Sequence, residues 1–223
     1  MKLLSVNVGK AVPVEYTDAP SGTTGVDKRP VDGPVRLSRP GPKGVGASGV
    51  AGDDVCDLRF HGGPDRAAYA YAREDLDFWE DEAGRAFAAG SFGENLTTEG
   101  VDVTNALIGE RWQVGGVLVE VTGGRIPCRT FQGFLAEQGW VKRFTRAGRP
   151  GALLRVLEEG EVRAGDPIAV VHRPAHAVTV GTLFHAATLD RTRLAETLVA
   201  AEWMESGLLG LAREYAAKYG SAS

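Results

Sequence analysis

Two cysteines, Cys56 and Cys128, are the only thiols in 223 residues. A disulfide scaffold is therefore excluded, and a single bridge is the most the chain could form. Two thiols cannot hold an iron–sulfur cluster, and the sequence carries no haem or flavin motif. The four histidines, His61, His172, His176 and His185, have no CxxC beside them. His172 and His176 stand at a spacing that zinc sites use, but without paired cysteines structural zinc is not expected. Positive charge is not in excess: Lys+Arg 25 against Asp+Glu 29 leaves a net −4. No global field therefore recommends nucleic acid or an anionic membrane as a partner. No apolar run approaches the ~20 residues of a membrane span. The opening Met1-Lys2-Leu3-Leu4 meets Gly9-Lys10 too early for a signal-peptide apolar region, so a cytoplasmic chain with reduced thiols is expected.

Hydrophobic residues make up 43% of the chain, enough for a core, on a length that suits one large domain or one domain with a small appendage. Residues 3–8 and 11–16 read as short strands joined at Gly9-Lys10 in a hairpin, with two more at 25–29 and 34–38. The Gly/Pro-rich span 39–52 reads as an exposed loop, a lid or rim. Residues 73–89 have helical spacing, as do two short pieces at 131–138 and 140–146. Strand patterns follow at 151–157, 160–164 and 167–171, with Gly165-Asp166 as a turn. After His172-Arg173-Pro174 the composition shifts. Residues 191–204 and 206–219 carry helical apolar stripes, with Asp190 and Ser206 as N-caps and Gly220 as a stop. So short a segment buries little core alone and should pack on the main domain or on a second subunit.

Three stretches carry chemistry. Gly123-Gly124-Arg125-Ile126-Pro127-Cys128-Arg129 follows the period-2 run Val117-Leu118-Val119-Glu120-Val121 and precedes a helical segment. It sets a thiol between two guanidinium groups at a strand-to-helix turn, where cations and helix N–H groups favour thiolate over thiol. Pro127 stiffens that turn. The alternative is that Cys128 is a small buried core residue. Cys56, among Asp53, Asp54 and Asp57, has the opposite surroundings and reads as inert. In Arg59-Phe60-His61-Gly62-Gly63-Pro64-Asp65-Arg66, the glycine pair allows positive φ and an anion-binding nest, with His61 and Arg66 as charged donors. An ordinary turn is the alternative. In Phe92-Gly93-Glu94-Asn95, the two polar side chains either cap backbone groups or point into a cleft. Lys142, Arg143, Arg146 and Arg149 form a basic patch, either a solvated face or a steering field for an anion.

Four blocks now stand in order: His61-Gly62-Gly63-Pro64-Asp65-Arg66-Ala67, Phe92-Gly93-Glu94-Asn95-Leu96, Ile108-Gly109-Glu110-Arg111 and Arg125-Ile126-Pro127-Cys128. Together they resemble the MOSC domain, found at the C-terminus of molybdenum-cofactor sulfurase and in amidoxime-reducing enzymes. Lys28-Arg29-Pro30-Val31-Asp32-Gly33 and Gly52-Asp53 resemble its stand-alone bacterial branch, the YiiM-like proteins. The resemblance implies an α+β, mainly β fold: a distorted β-barrel with flanking helices over residues 1–172 and a three-helix appendage over 173–223. It implies a cleft for the molybdenum–pterin cofactor, with Cys128 as catalytic residue and molybdenum ligand. Lys28, His61, Gly62, Gly63, Arg66, Phe92, Glu94, Asn95, Arg125 and Arg129 fall at the matching cofactor-binding positions. The implied activity is reduction of N-hydroxylated bases, amidoximes or hydroxylamines, with a separate reductase as electron donor and a homodimer as the assembly. A sulfur carrier with a Cys128 persulfide, or a binding module with a retired site, are the alternatives. Gly123-Gly124 stands where many members of the branch have Gln-Pro, which predicts a looser turn. Thr130 replaces a lysine common there, a loss that Arg129 partly offsets.

Overall fold

Residues 1–219 are described in the computed structural model, so the Gly220 stop lies outside the described residues. In chain order the strands are β1 (Lys2–Gly9), β2 (Val12–Pro13), β3 (Thr23–Thr24), β4 (Lys28–Pro30), β5 (Val35–Leu37) and β6 (Ala68–Ala72). Helix α1 (Arg73–Ala83) separates these from β7 (Leu96–Glu99), β8 (Arg111–Val114) and β9 (Val117–Gly123). Helices α2 (Arg129–Leu135) and α3 (Trp140–Ala147) precede β10 (Ala152–Glu158), β11 (Gly160–Val162) and β12 (Ile168–His172). Helices α4 (Val180–Thr188) and α5 (Ser206–Tyr219) complete the described chain.

Eight strands form one sheet in the order β12-β8-β9-β10-β6-β7-β1-β4. Its pairings are antiparallel except β6 with β7, which run parallel across the α1 crossover. The sheet curls until Leu3 N–H reaches the Asp166 carbonyl at 2.9 Å and Ile168 N–H reaches that of Met1 at 3.1 Å. Between β1 and the start of β12 this contact is a single bridge, Lys2 with Pro167, and no closing ladder forms among the described residues. The architecture is thus a mixed α/β fold around a large, mainly β sheet; a closed barrel is not shown.

Strand β6 explains why both faces of the sheet are covered. Its sequence Ala-Tyr-Ala-Tyr-Ala alternates at period 2, so Ala68, Ala70 and Ala72 join the larger apolar core while Tyr69 and Tyr71 join a second, aromatic one. The aromatic core holds Trp79 of α1, Phe92, Phe131 of α2 and Trp140 and Phe144 of α3, all fully buried. Trp79 and Trp140 lie 4.7 Å apart between ring centres. Helices α4 and α5 have no separate core, since Leu183, Ala186, Leu208 and Ala212 belong to the same cluster as the sheet.

Three local expectations change. The hairpin at Gly9-Lys10 does not form: β2 pairs with β3, while β1, buried along most of its length, takes β7 and β4 as neighbours. The helix expected over 73–89 stops at Ala83, where Gly84 N–H closes on the Glu80 carbonyl at 2.8 Å. The helix expected over 191–204 is two 3-10 segments, Arg191–Arg193 and Ala195–Ala200. Side-chain bonds tighten both: Asp190 accepts Thr192 N–H at 3.1 Å, and the Thr197 hydroxyl donates to the Leu194 carbonyl at 2.7 Å.

Candidate functional site

Strand β9 ends at Gly123, and the next four residues carry the chain to Cys128, the residue before α2, in extended conformation (φ −126°, ψ 170°). Gly123 and Gly124 do not loosen this turn. A Cβ on Gly123 would lie 2.7 Å from Leu208 Cδ1, and one on Gly124 would lie 2.9 Å from Pro150 Cγ, so both glycines are sites of close packing. The Cys128 thiol is half-buried against the aromatic core. Arg125 stacks its guanidinium 4.2 Å from the centre of the Phe131 ring and 5.5 Å from that of Tyr69. It also donates to the Phe92 carbonyl. Phe92 itself is fully buried, with Tyr71 and Phe87 at 4.9 and 5.1 Å, so it offers the site a carbonyl rather than a ring. Arg129 points to the surface and donates to Asp18 at 2.9 Å.

A buried polar network lies beside this turn. Lys28 ion-pairs with Asp53, whose carboxylate also accepts Gly9 N–H at 2.8 Å and the Asn95 amide at 3.0 Å. Burial lowers the Lys28 pKa, opposed by Asp53 and assisted by the Arg125 charge. Asn95 is committed to the fold: its Oδ1 accepts Tyr69 N–H at 3.2 Å, and its amide also reaches the Asn7 carbonyl at 3.3 Å. Glu94 is likewise internal, accepting Gly90 N–H at 2.6 Å, Phe92 N–H at 2.9 Å and the Thr97 hydroxyl at 2.9 Å. Burial raises its pKa against those bonds. Both side chains cap and cross-link, as the plainer sequence reading had it.

The His61 loop faces this network. Gly62 and Gly63 have φ of 73° and 83°, as expected. Their reason is packing, however: Gly63 N–H donates to the Gly46 carbonyl at 3.0 Å, and a Cβ on Gly62 would lie 2.6 Å from the Gly46 and Ala47 oxygens. The 39–52 loop is docked on the glycine pair. His61 keeps water contact but is densely surrounded. That crowding, then the charges of Arg125 and Arg66 and more weakly Lys28, push its imidazole down to about 4, against Asp57. Arg66 donates to the Phe60 carbonyl and pairs with Glu205 at 3.2 Å.

The fold therefore brings Lys28, Arg66 and Arg125 close enough to His61 for their charges to act on it, and of these Arg125 stands on the turn that carries Cys128. Arg129 is held at the rim, and the Phe92, Glu94 and Asn95 side chains lie behind the site rather than in it. The Lys142, Arg143 and Arg146 patch instead lines a separate opening of about 440 Å³ with Phe78 and Trp79. His172 lines another, of about 530 Å³, at the β12 edge. Among the described residues no three His, Cys, Asp or Glu side chains converge as a metal cluster. No helix among them is long and apolar enough to cross a membrane. Sequence reasoning left Glu205 out of the site; its only signal was a lone carboxylate directly ahead of the Ser206 N-cap.

Residues 57–169 match the MOSC domain family model, and the chain belongs to that family. It is 34% identical to the uncharacterized protein YflK of Bacillus subtilis over 178 residues, covering 80% of this chain and 76% of that one. It is 33% identical to YiiM of Escherichia coli over 128 residues, 56% of this chain and 57% of that protein. A protein named reductase from Gibberella moniliformis is 33% identical over 156 residues, 68% of this chain but only 26% of the longer fungal protein. Among solved structures, YiiM from Geobacillus stearothermophilus superposes with a TM-score of 0.77 at 27% identity, covering 96% of this chain and 98% of that one. The Escherichia coli YiiM structure gives 0.73 at 25% identity, covering 98% and 94%.

Proposed function

We propose that the chain binds the molybdenum–pterin cofactor and reduces N-hydroxylated compounds. The observation that carries this reading is a half-buried thiol, Cys128, on the same turn as Arg125, whose charge acts on His61 together with those of Arg66 and Lys28. A bare metal ion wants three or more protein ligands, which this site lacks. A metal already held by the sulfur donors of an organic ligand needs one further soft donor and a cationic wall for its phosphate, and the residues present fit that group. Bound there, the cofactor supplies a two-electron reduction in which N–OH plus two protons becomes N–H and water. Cys128 offers the sulfur. Arg125 and Arg66 would hold phosphate, with Arg129 at the rim. His61, neutral at pH 7, would hydrogen-bond the substrate N–OH. A relative named reductase supports the assignment to oxidoreductases. Electrons would come from a separate reductase in the cytoplasm.

The test is molybdenum by elemental mass spectrometry on protein from cofactor-competent cells, wild type beside Cys128→Ala. Near-stoichiometric metal in the wild type and none in the variant is the expected result. A variant that keeps full molybdenum-dependent reductase activity, or a wild type without metal, would overturn it. A persulfide mass on Cys128 would instead make the protein a sulfur carrier.

A further inference from the structure

The start of α5 lies against the His61 loop, far from it in sequence. Glu205 is 1% exposed, yet its carboxylate meets Arg66 at 3.2 Å, Lys43 at 3.3 Å and Leu208 N–H at 2.9 Å. Its own N–H is tied to the Thr122 carbonyl of β9 at 2.9 Å. Asp65, the neighbour of Arg66, accepts Ser206 N–H at 3.0 Å with one oxygen and binds Arg155 at 2.6 Å with the other. Two adjacent loop residues are thus fastened to two adjacent residues at the head of α5. The guanidinium of Arg66 has one nitrogen on Glu205 and one on the Phe60 carbonyl, while its Nε is buried with no partner. Among the described residues no other acid holds that fork by charge, so a long, flexible side chain is fixed chiefly by Glu205.

We propose that Glu205 is a positioning residue that holds the Arg66 guanidinium beside His61, making the head of α5 part of the site. The idea that Arg66 then serves an anionic ligand rests on the proposed function; the positioning itself does not. His61 reports on it, because Arg66 is among the charges that depress its imidazole while Glu205 is not among its main influences. The other charges bearing on His61 are Arg125, Asp57 and Lys28, and they remain in every variant.

The experiment is a double-mutant cycle on the full-length, cofactor-free chain, reading the His61 titration midpoint by NMR. Glu205→Gln should raise the midpoint measurably, by roughly a few tenths of a pH unit, when Arg66 leaves its place. In an Arg66→Met background the same substitution should move it hardly at all. No shift in the first case, or an equal shift in both, overturns the proposal. Should Arg66→Met not fold, hydrogen exchange at the Arg66 Nε–H decides without touching Arg66. Protection in the wild type and its loss in Glu205→Gln is expected, and protection unchanged in the variant overturns the proposal. Molybdenum content plays no part in either readout, so failure here and failure of the cofactor reading are separable.

Discussion

Asp53 holds Lys28 in an ion pair whose two side chains are 1% and 9% exposed, and with its second oxygen it takes the Asn95 amide at 3.0 Å. One carboxylate thus joins β4, the end of the 39–52 loop and the segment ahead of β7. Removing one partner of such a pair strands a buried charge. Asp53→Ala should cost about 3–5 kcal/mol in urea unfolding, far more than an exposed pair such as Lys2 with Glu99.

Acid sensitivity should come in two successive, slightly overlapping windows. The His61 value of about 4 lies below its ordinary 6.5, so the unfolded chain binds the extra proton and stability falls as pH drops from 6.5 to about 4. His61→Gln should flatten that fall, by less than the full shift implies because the ring is wet. For Glu205, burial pushes upward but Arg66 and the Gly207 and Leu208 N–H groups bring it from 4.5 to about 2. Its contribution is therefore whole above 4.5 and lost as pH falls toward 2, and Glu205→Gln should flatten that lower window while narrowing the His61 window through the loss of Arg66. Unfolding free energies measured from pH 7 to 2 check both slopes.

Gly62→Ala should cost more than about 2 kcal/mol, because left-handed backbone strain adds to a clash with two fixed carbonyl oxygens. Gly33→Ala, at φ of 81° with open space around it, should show only the strain, about 1–2 kcal/mol. Denaturant midpoints of the two variants make the comparison, and equal losses would mean the 39–52 loop is not seated on Gly62.

Arg125→Lys keeps the charge but loses the plane that lies on Phe131. A loss of about 1–2 kcal/mol in thermal unfolding is expected, with molybdenum content reduced in the same preparation.

Strand β9, helix α5 and the Cys128 turn were legible because period-2 and helical spacing, a proline and a cysteine are local signals. The hairpin at Gly9-Lys10 was misread because β1 takes its neighbours from β4 and β7, a choice no local pattern records. Glycine pairs were ambiguous for a related reason. Gly62-Gly63 suits an anion nest or a docked loop equally, and only the position of Gly46 decides. Glu94 and Asn95 show the same limit: their partners, Gly90, Thr97, Tyr69 and Asn7, span both near and far sequence. Glu205 was missed because its two cations lie in other segments, Lys43 being 162 positions away.

That separation bears on how the protein comes into being. A segment cut to residues 57–169 keeps His61, Arg66, Arg125 and Cys128 but lacks Lys28, Asp53 and Glu205. During synthesis Arg66 can meet Glu205 only after the head of α5 has left the ribosome, so this charge pairing forms later than the making of residues 57–169.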